Sequence, residues 1–109
     1  MKPILLSIAL LVPAMPAFAD VIPISELQRG QPATVAGVVE RFHDEDEIRL
    51  RDETGTVRVY LGPQPVALDL GQRIEVSGFM DNDLIRNELY AREIVAENGE
   101  TITVERRYE

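Results

Sequence analysis

Cysteine is absent from this sequence of 109 residues, and histidine occurs once. A chain without cysteine has no disulfides, so we expect a small domain such as this to be stabilised by side-chain packing alone. Nucleophiles and bases are scarce as well, because beyond residue 19 the chain offers only His43 and two serines, Ser25 and Ser77. A nucleophile, a base and an orienting group cannot be assembled from these residues. We therefore expect no enzyme and no catalytic residues.

Lysine is almost absent too, since the only one is Lys2 and all other cations are arginines. Nineteen acidic residues outnumber eleven basic ones, which gives a formal net charge of −8. A surface of this sign repels polyphosphates at long range and attracts cations. Nucleic-acid binding needs a basic footprint, so nucleic acid is an unexpected partner.

The first 19 residues read as a segment apart from the rest. A short positive start at residues 1–3 precedes an unbroken apolar run at residues 4–12, and Ala17 and Ala19 supply the small-x-small pattern that signal peptidase recognises. The run is shorter than the roughly 20 residues of a membrane-spanning helix. The sequence predicts a signal peptide over residues 1–19 and one domain over residues 20–109, located in the periplasm without stable membrane insertion after cleavage.

A two-residue period runs through most of the domain and predicts an all-β fold. The expected inward positions of the first four strands are Val35, Val39, Ile48, Leu50, Val57, Val59, Ile74 and Val76. A glycine inside the first strand and a brief connection after the third favour a five-stranded OB-fold barrel. A short helical turn capped by Ser25 is expected at residues 24–30, and the Asn98-Gly99 turn predicts an extra C-terminal strand.

Three segments resemble the bacterial OB-fold (BOF) family of small periplasmic proteins linked to stress tolerance. They are V-A-G-V-V-E at residues 35–40, I-R-L-R-D-E-T-G-T-V at residues 48–57 and G-Q-R-I-E-V-S-G at residues 71–78. They are similar to the family's V-x-G-x-V strand, L-R-D-x-T-G hairpin and G-x-x-V-x-V-x-G strand, and the resemblance covers about residues 22–94. It implies an OB-fold and a ligand-binding role without catalytic residues. The connection at residues 62–71 departs from the family, because it is too short and proline-broken for a full helix.

Two acidic loops are the candidate binding site. In OB-folds the ligand surface is framed by the loop between strands one and two and the loop between strands four and five. The first of these loops is expected to carry His43, Asp44, Glu45 and Asp46, and the second Asp81, Asn82 and Asp83. Their charge would draw a cationic peptide or a small cationic ligand. The alternative is that the loops only keep the protein soluble.

Neither metal binding nor histidine chemistry is expected at these loops. Asp81 and Asp83 supply two oxygen ligands, but the glycine and the distant glutamate of an EF-hand loop are missing. His43 is expected to be a solvated loop residue. We therefore expect no metal and no cofactor.

A second face competes with the acidic loops. Arg49, Arg51, Arg58 and Tyr60 are expected to point outward from strands two and three, where OB-folds contact single-stranded nucleic acid or other anions. Pairing of these arginines with nearby carboxylates is the simpler account. Tyr60 alone would supply an aromatic ring, so a stacking platform is not expected.

Cleavage after Ala19 is the first testable prediction, because the small-x-small pattern directly precedes Asp20. Intact-mass spectrometry of the exported protein should give a chain that begins at Asp20. Recovery of a chain with Met1 in the membrane fraction would contradict it.

Overall fold

Alternating valine, isoleucine and leucine positions build a sheet that closes on itself. The computed structural model describes residues 20–63, 65–82 and 88–104, and these form a closed, mixed five-stranded barrel with an extra strand. The strands are β1 (Pro32–Asp44), β2 (Glu47–Asp52), β3 (Gly55–Tyr60), β4 (Arg73–Met80), β5 (Glu88–Ala96) and β6 (Thr101–Thr103). The predicted all-β barrel, with its extra C-terminal strand, is confirmed.

The sheet order is β3-β2-β1-β4-β5-β6, and a further pairing of β3 with β5 closes the barrel. Neighbouring strands are antiparallel except at this closure, where β3 and β5 run parallel over three residue pairs. We call this pairing the seam. It brings the outward side chains of β3 beside those of β5, which are about thirty residues away along the chain.

The inside of the barrel is one apolar core. All eight inward positions predicted from the sequence are at most 5% exposed. Leu61, Leu89 and Ile94 join them, each with 1% of its surface exposed or less. A bulge in β5 opposite Ser77 and Gly78 shifts the alternation by one residue, so that Ala91 and Ile94 both face the core.

Glycines at two places let the strands approach closely. At Gly37 on β1 an added Cβ would lie 2.5 Å from the carbonyl oxygen of Arg51, and at Gly78 on β4 it would overlap the carbonyl oxygen of Tyr90. Contacts this short leave no room for a methyl group. The glycines of the V-x-G-x-V and V-x-V-x-G motifs therefore allow β1 and β4 to bend around the barrel.

The N-terminal turn and the loop between β1 and β2 differ from the predictions made from the sequence. The helical turn is a single 3₁₀ turn at Ile24–Glu26, and Ser25 does not cap it, because no side chain caps its first residue. As the sequence indicated, the connection after β3 contains no helix over residues 65–69. Strand β1 extends to Asp44, so the expected acidic loop narrows to the two-residue turn of Glu45 and Asp46.

The predicted signal peptide and Asp83 lie outside the described residues. Within residues 20–63, 65–82 and 88–104, no helix has the length and apolar character needed to cross a membrane.

Replacement of Gly78 by alanine should destabilise the barrel, because the new methyl group has to displace the β5 backbone. We expect the free energy of unfolding in urea to fall by about 1–3 kcal/mol or more. Gly55→Ala is the matched control, since its added methyl group meets nothing within 4 Å and stabilises by up to ~1 kcal/mol where the backbone is compatible. Equal stability of the two variants would show that β4 and β5 do not approach closely at Gly78.

Candidate ligand-binding site

The strand register aligns two rows of side chains across the outer face of the barrel. Residues that alternate with the buried core of β2, β3 and β5 point outward, and cross-strand partners lie side by side. We call Arg41, Arg49 and Arg58 the arginine row, in which each residue is the register partner of the next. We call Glu47, Tyr60 and Tyr90 the tyrosine row, which is aligned in the same way.

Two bulges on β1 turn further side chains toward this face. The register of β1 with β2 skips Glu40 and again skips His43, so neither has a partner on β2. Bulges re-aim side chains in this manner. Glu40 consequently reaches two arginines: its Oε1 lies 3.3 Å from Arg49 Nε and its Oε2 lies 3.0 Å from Arg51 Nε.

The arginines of the alternative face are thus partly neutralised by carboxylates. Besides the two contacts of Glu40, Arg58 Nη1 lies 3.2 Å from Glu47 Oε1. The side chains of Arg49, Arg51 and Arg58 are 36%, 53% and 44% exposed. Ion pairs at such exposure contribute little to stability, about 0–1 kcal/mol each. Their main effect here is to reduce the charge that Arg51 and Arg58 offer to a ligand.

Tyr90 is a second aromatic residue beside Tyr60, contrary to expectation. The two rings meet edge to face, with centroids 5.9 Å apart and an interplanar angle of 80°, a favourable aromatic geometry. The Tyr90 hydroxyl donates a 3.3 Å hydrogen bond to Asp81 Oδ2. The tyrosine row therefore runs from Glu47, beside the β1–β2 turn, to Asp81 after β4.

A carboxyl pair lies on the same face at the seam. Glu88 is the register partner of Arg58, points outward beside the inward Leu89, and is still only 5% exposed. A hydrogen bond from the Glu88 side chain lowers the pKa of Glu47; burial opposes this, and the Arg58 guanidinium lowers the pKa further. Glu47 and Glu88 therefore lie side by side at the seam.

The first acidic loop forms one wall of a small cavity. Asp44, Glu45 and Asp46 line a space of about 330 Å³ together with Gly62, Pro63 and Pro65. The backbone carbonyl of Asp46 accepts a 2.7 Å hydrogen bond from the Leu61 N–H, which fixes the turn against the chain that leaves β3.

The second acidic loop is described only as far as Asn82. Asp81 accepts hydrogen bonds from the Tyr90 hydroxyl and, at 2.7 Å, from the Asn82 N–H. Among the described residues, no three histidine, aspartate or glutamate side chains are grouped so that they could hold a metal ion.

His43 is not a solvated loop residue, because it belongs to β1 and is half-buried. Burial lowers the pKa of its imidazole, and the charges of Arg58, Arg49 and Arg41 lower it further, against an opposite effect of Glu47. The histidine thus lies in the positive field of the arginine row.

Asp52, from the L-R-D-x-T-G segment, ties the N-terminal turn to the β2–β3 hairpin. Its Oδ2 accepts a 2.9 Å hydrogen bond from the Ile24 N–H. Its Oδ1 accepts bonds from the Thr54 N–H at 2.7 Å, the Thr54 hydroxyl at 2.6 Å and the Gly55 N–H at 3.1 Å. Burial raises the pKa of Asp52, but these hydrogen bonds outweigh it and hold the pKa below its usual range. The motif residues Asp52 and Thr54 therefore have structural roles.

Another cavity, of about 800 Å³, lies between the 3₁₀ turn and β3 and extends to Asn82 of the second acidic loop. Arg29 is the one charged residue among those that line it. No cluster of ionisable groups faces it, so the outer face of β1, β2, β3 and β5 remains the better candidate site.

The closed five-stranded barrel is consistent with an OB-fold. The chain is similar to the hypothetical protein YgiW from E. coli, with a TM-score of 0.63 and 19% sequence identity over 72% of this chain and 90% of that one. YgiW is the prototype of the bacterial OB-fold family. The resemblance seen in the sequence is thereby confirmed at the level of the fold. No protein-family model and no curated protein matches the sequence.

Replacement of Asp52 by alanine should lower the free energy of unfolding by about 1–3 kcal/mol, because four hydrogen bonds to a charged acceptor are lost. The full decrease in the free energy of unfolding should be seen at pH values above the pKa of an unfolded aspartate, about 3.9. It should shrink as the pH falls through the depressed pKa of folded Asp52, where the parent loses the same stabilisation. Urea unfolding at several pH values measures this, and Glu53→Ala, which changes an exposed neighbour, is the control. A pH-independent difference would contradict the role of the Asp52 charge.

Proposed function

We propose that the chain is a periplasmic OB-fold binding protein that supports envelope stress tolerance by binding a small or peptidic cationic ligand. The observation that carries the proposal is the tyrosine row. Glu47 adjoins the acidic β1–β2 turn, Tyr60 and Tyr90 pack against each other across the seam, and Tyr90 bonds to Asp81. The row thus links the two acidic loops into one continuous surface.

The chemistry of this surface suits an amine or a guanidinium. An aromatic face attracts a cation within about 6 Å of its centre, and more strongly where water is partly excluded. Tyr60 and Tyr90 are both half-buried, and carboxylates of Glu47 and Asp81 border them. The cavity beside the β1–β2 turn adds Asp44, Glu45 and Asp46 at one end. The net charge of −8 steers cations toward the molecule from a distance.

The carboxylates that pair with the arginines also favour a cationic ligand over nucleic acid. Arg49 and Arg51 share Glu40, and Arg58 is paired with Glu47. A single strand of nucleic acid would have to follow these partly neutralised arginines and then pass the acidic turn. Its phosphates would meet repulsion along that path.

The compartment and the biological role rest on the sequence. The apolar run and the small-x-small pattern of the first 19 residues support export. The resemblance to the bacterial OB-fold family supports a part in stress tolerance, and the scarcity of nucleophiles and bases supports a role in binding instead of catalysis.

Combined replacement of Asp44, Asp46 and Asp81 by asparagine tests the proposal, because asparagine keeps size and turn preference but removes the charge. Spermine and tetralysine serve as probes in calorimetric titrations. At low ionic strength we expect on the order of tenfold weaker binding, from three lost ion pairs of up to ~1 kcal/mol each. The difference should shrink at physiological salt, where the Debye length is about 8 Å.

The matched control replaces Glu53, Glu97 and Glu100 by glutamine, which changes the net charge equally at exposed positions away from the tyrosine row. It should weaken binding less than twofold. Tyr60→Leu should weaken binding with no change in charge. If both triple variants lose affinity equally and Tyr60→Leu loses none, the attraction is a property of the net charge alone and the proposed site is wrong.

A further inference from the structure

We propose that the arginine row, together with His43, is a separate binding site for a small oxyanion such as sulfate or a phosphate monoester. The inference does not depend on the cationic ligand proposed above. It rests on the arrangement of charges on β1, β2 and β3, beside the tyrosine row but not within it.

Three like charges oppose one another across neighbouring strands. Arg41 is the register partner of Arg49, and Arg49 is the register partner of Arg58. Adjacent strands lie about 4.8 Å apart, and like charges directly opposite each other destabilise a sheet. An anion bound over the row would be attracted by all three arginines, and this attraction would offset their mutual repulsion.

Carboxylates near the row pair with Arg49 and Arg58 but not with Arg41, and Glu88 is the register partner of Arg58. Glu40 is divided between Arg49 and Arg51, and Glu47 engages Arg58. Within the part of the chain that the structure describes, Arg41 has no ion pair. The Nε atom of Arg49 is buried and has no hydrogen bond, although Glu40 Oε1 lies 3.3 Å from it. Arg41 therefore offers a guanidinium group whose charge is not balanced by an ion pair with a described carboxylate.

His43 lies close enough to the arginine row for the charges of the row to affect its pKa. Burial lowers the pKa of the imidazole, and all three arginines of the row lower it further, while Glu47 raises it. His43 is therefore close to all three guanidinium groups of the arginine row, on a chain whose net charge is −8.

The geometry selects a compact anion. Guanidinium groups present paired donors that match the oxygens of sulfate and phosphate. Asp44, Glu45 and Asp46 directly follow His43 and would repel the next charge of a longer polyanion. A ligand with one oxyanion group can lie over the row without reaching them.

Sulfate is the probe, because it stays doubly charged over the pH range in which histidine titrates. The chain has a single histidine, so one imidazole C–H signal in NMR spectra follows His43. Bound sulfate should raise the pKa of His43 above its value in sodium chloride of equal ionic strength. Amide shifts should concentrate on the arginine row. If the two salts give the same pKa, the anion only screens charge and the proposal is overturned.

Arg41→Gln is the decisive variant, because Arg41 forms no ion pair with a described carboxylate and its replacement therefore breaks none. It should weaken sulfate binding about tenfold, as expected for loss of a charge-assisted contact, and raise the pKa of His43 in chloride. Arg29→Gln, an equal charge change at an exposed position beside the 3₁₀ turn, should leave both values unchanged. Spermine affinity should persist in Arg41→Gln, which separates this site from the tyrosine row. Equal sulfate affinity of the two variants would overturn the proposal.

Discussion

Closure of the barrel is the constraint on which the rest of the structure depends. Five short strands close only if β1 and β4 curve sharply, and both have a glycine where an added Cβ would meet the backbone of the next strand. The closure itself is three residue pairs long. It makes Arg58 a neighbour of Glu88 and Tyr60 a neighbour of Tyr90. The tyrosine row of the candidate site is therefore a consequence of closure as much as of the side chains themselves.

The sequence predicted the core well, because burial follows the two-residue period of a strand. Val35, Leu50 and Val59 could be placed inside by counting alone, and the glycines indicated where the strands bend. The tyrosine row could not be found in this way. Tyr90 and Glu88 meet β3 through a parallel pairing between distant segments, and no local pattern shows which strands of a barrel pair at its closure.

The two-residue period of the sequence could not show the two bulges of β1 either. Glu40 and His43 fall outside the register with β2, and each bulge changes which side chains share a face. Regular alternation would not bring Glu40 between Arg49 and Arg51, nor His43 under the influence of three arginines. The helical cap failed for a related reason, because Asp52 of a distant hairpin binds the Ile24 N–H group. Asp52 of the L-R-D-x-T-G motif thus anchors the N-terminal turn to the β2–β3 hairpin.

The shortness of the seam has a consequence for the energetics of binding. The three residue pairs of the seam are a short junction compared with the seven pairs that join β1 and β4. Local opening of a protein begins where few contacts hold it. If the seam opens, Tyr60 and Tyr90 separate while the other strand pairs persist. A molecule that touches both rings binds only the closed form, so its affinity includes the cost of closing and its presence slows opening. Binding of a ligand to this face would then be detectable as slowed amide exchange in β3 and β5.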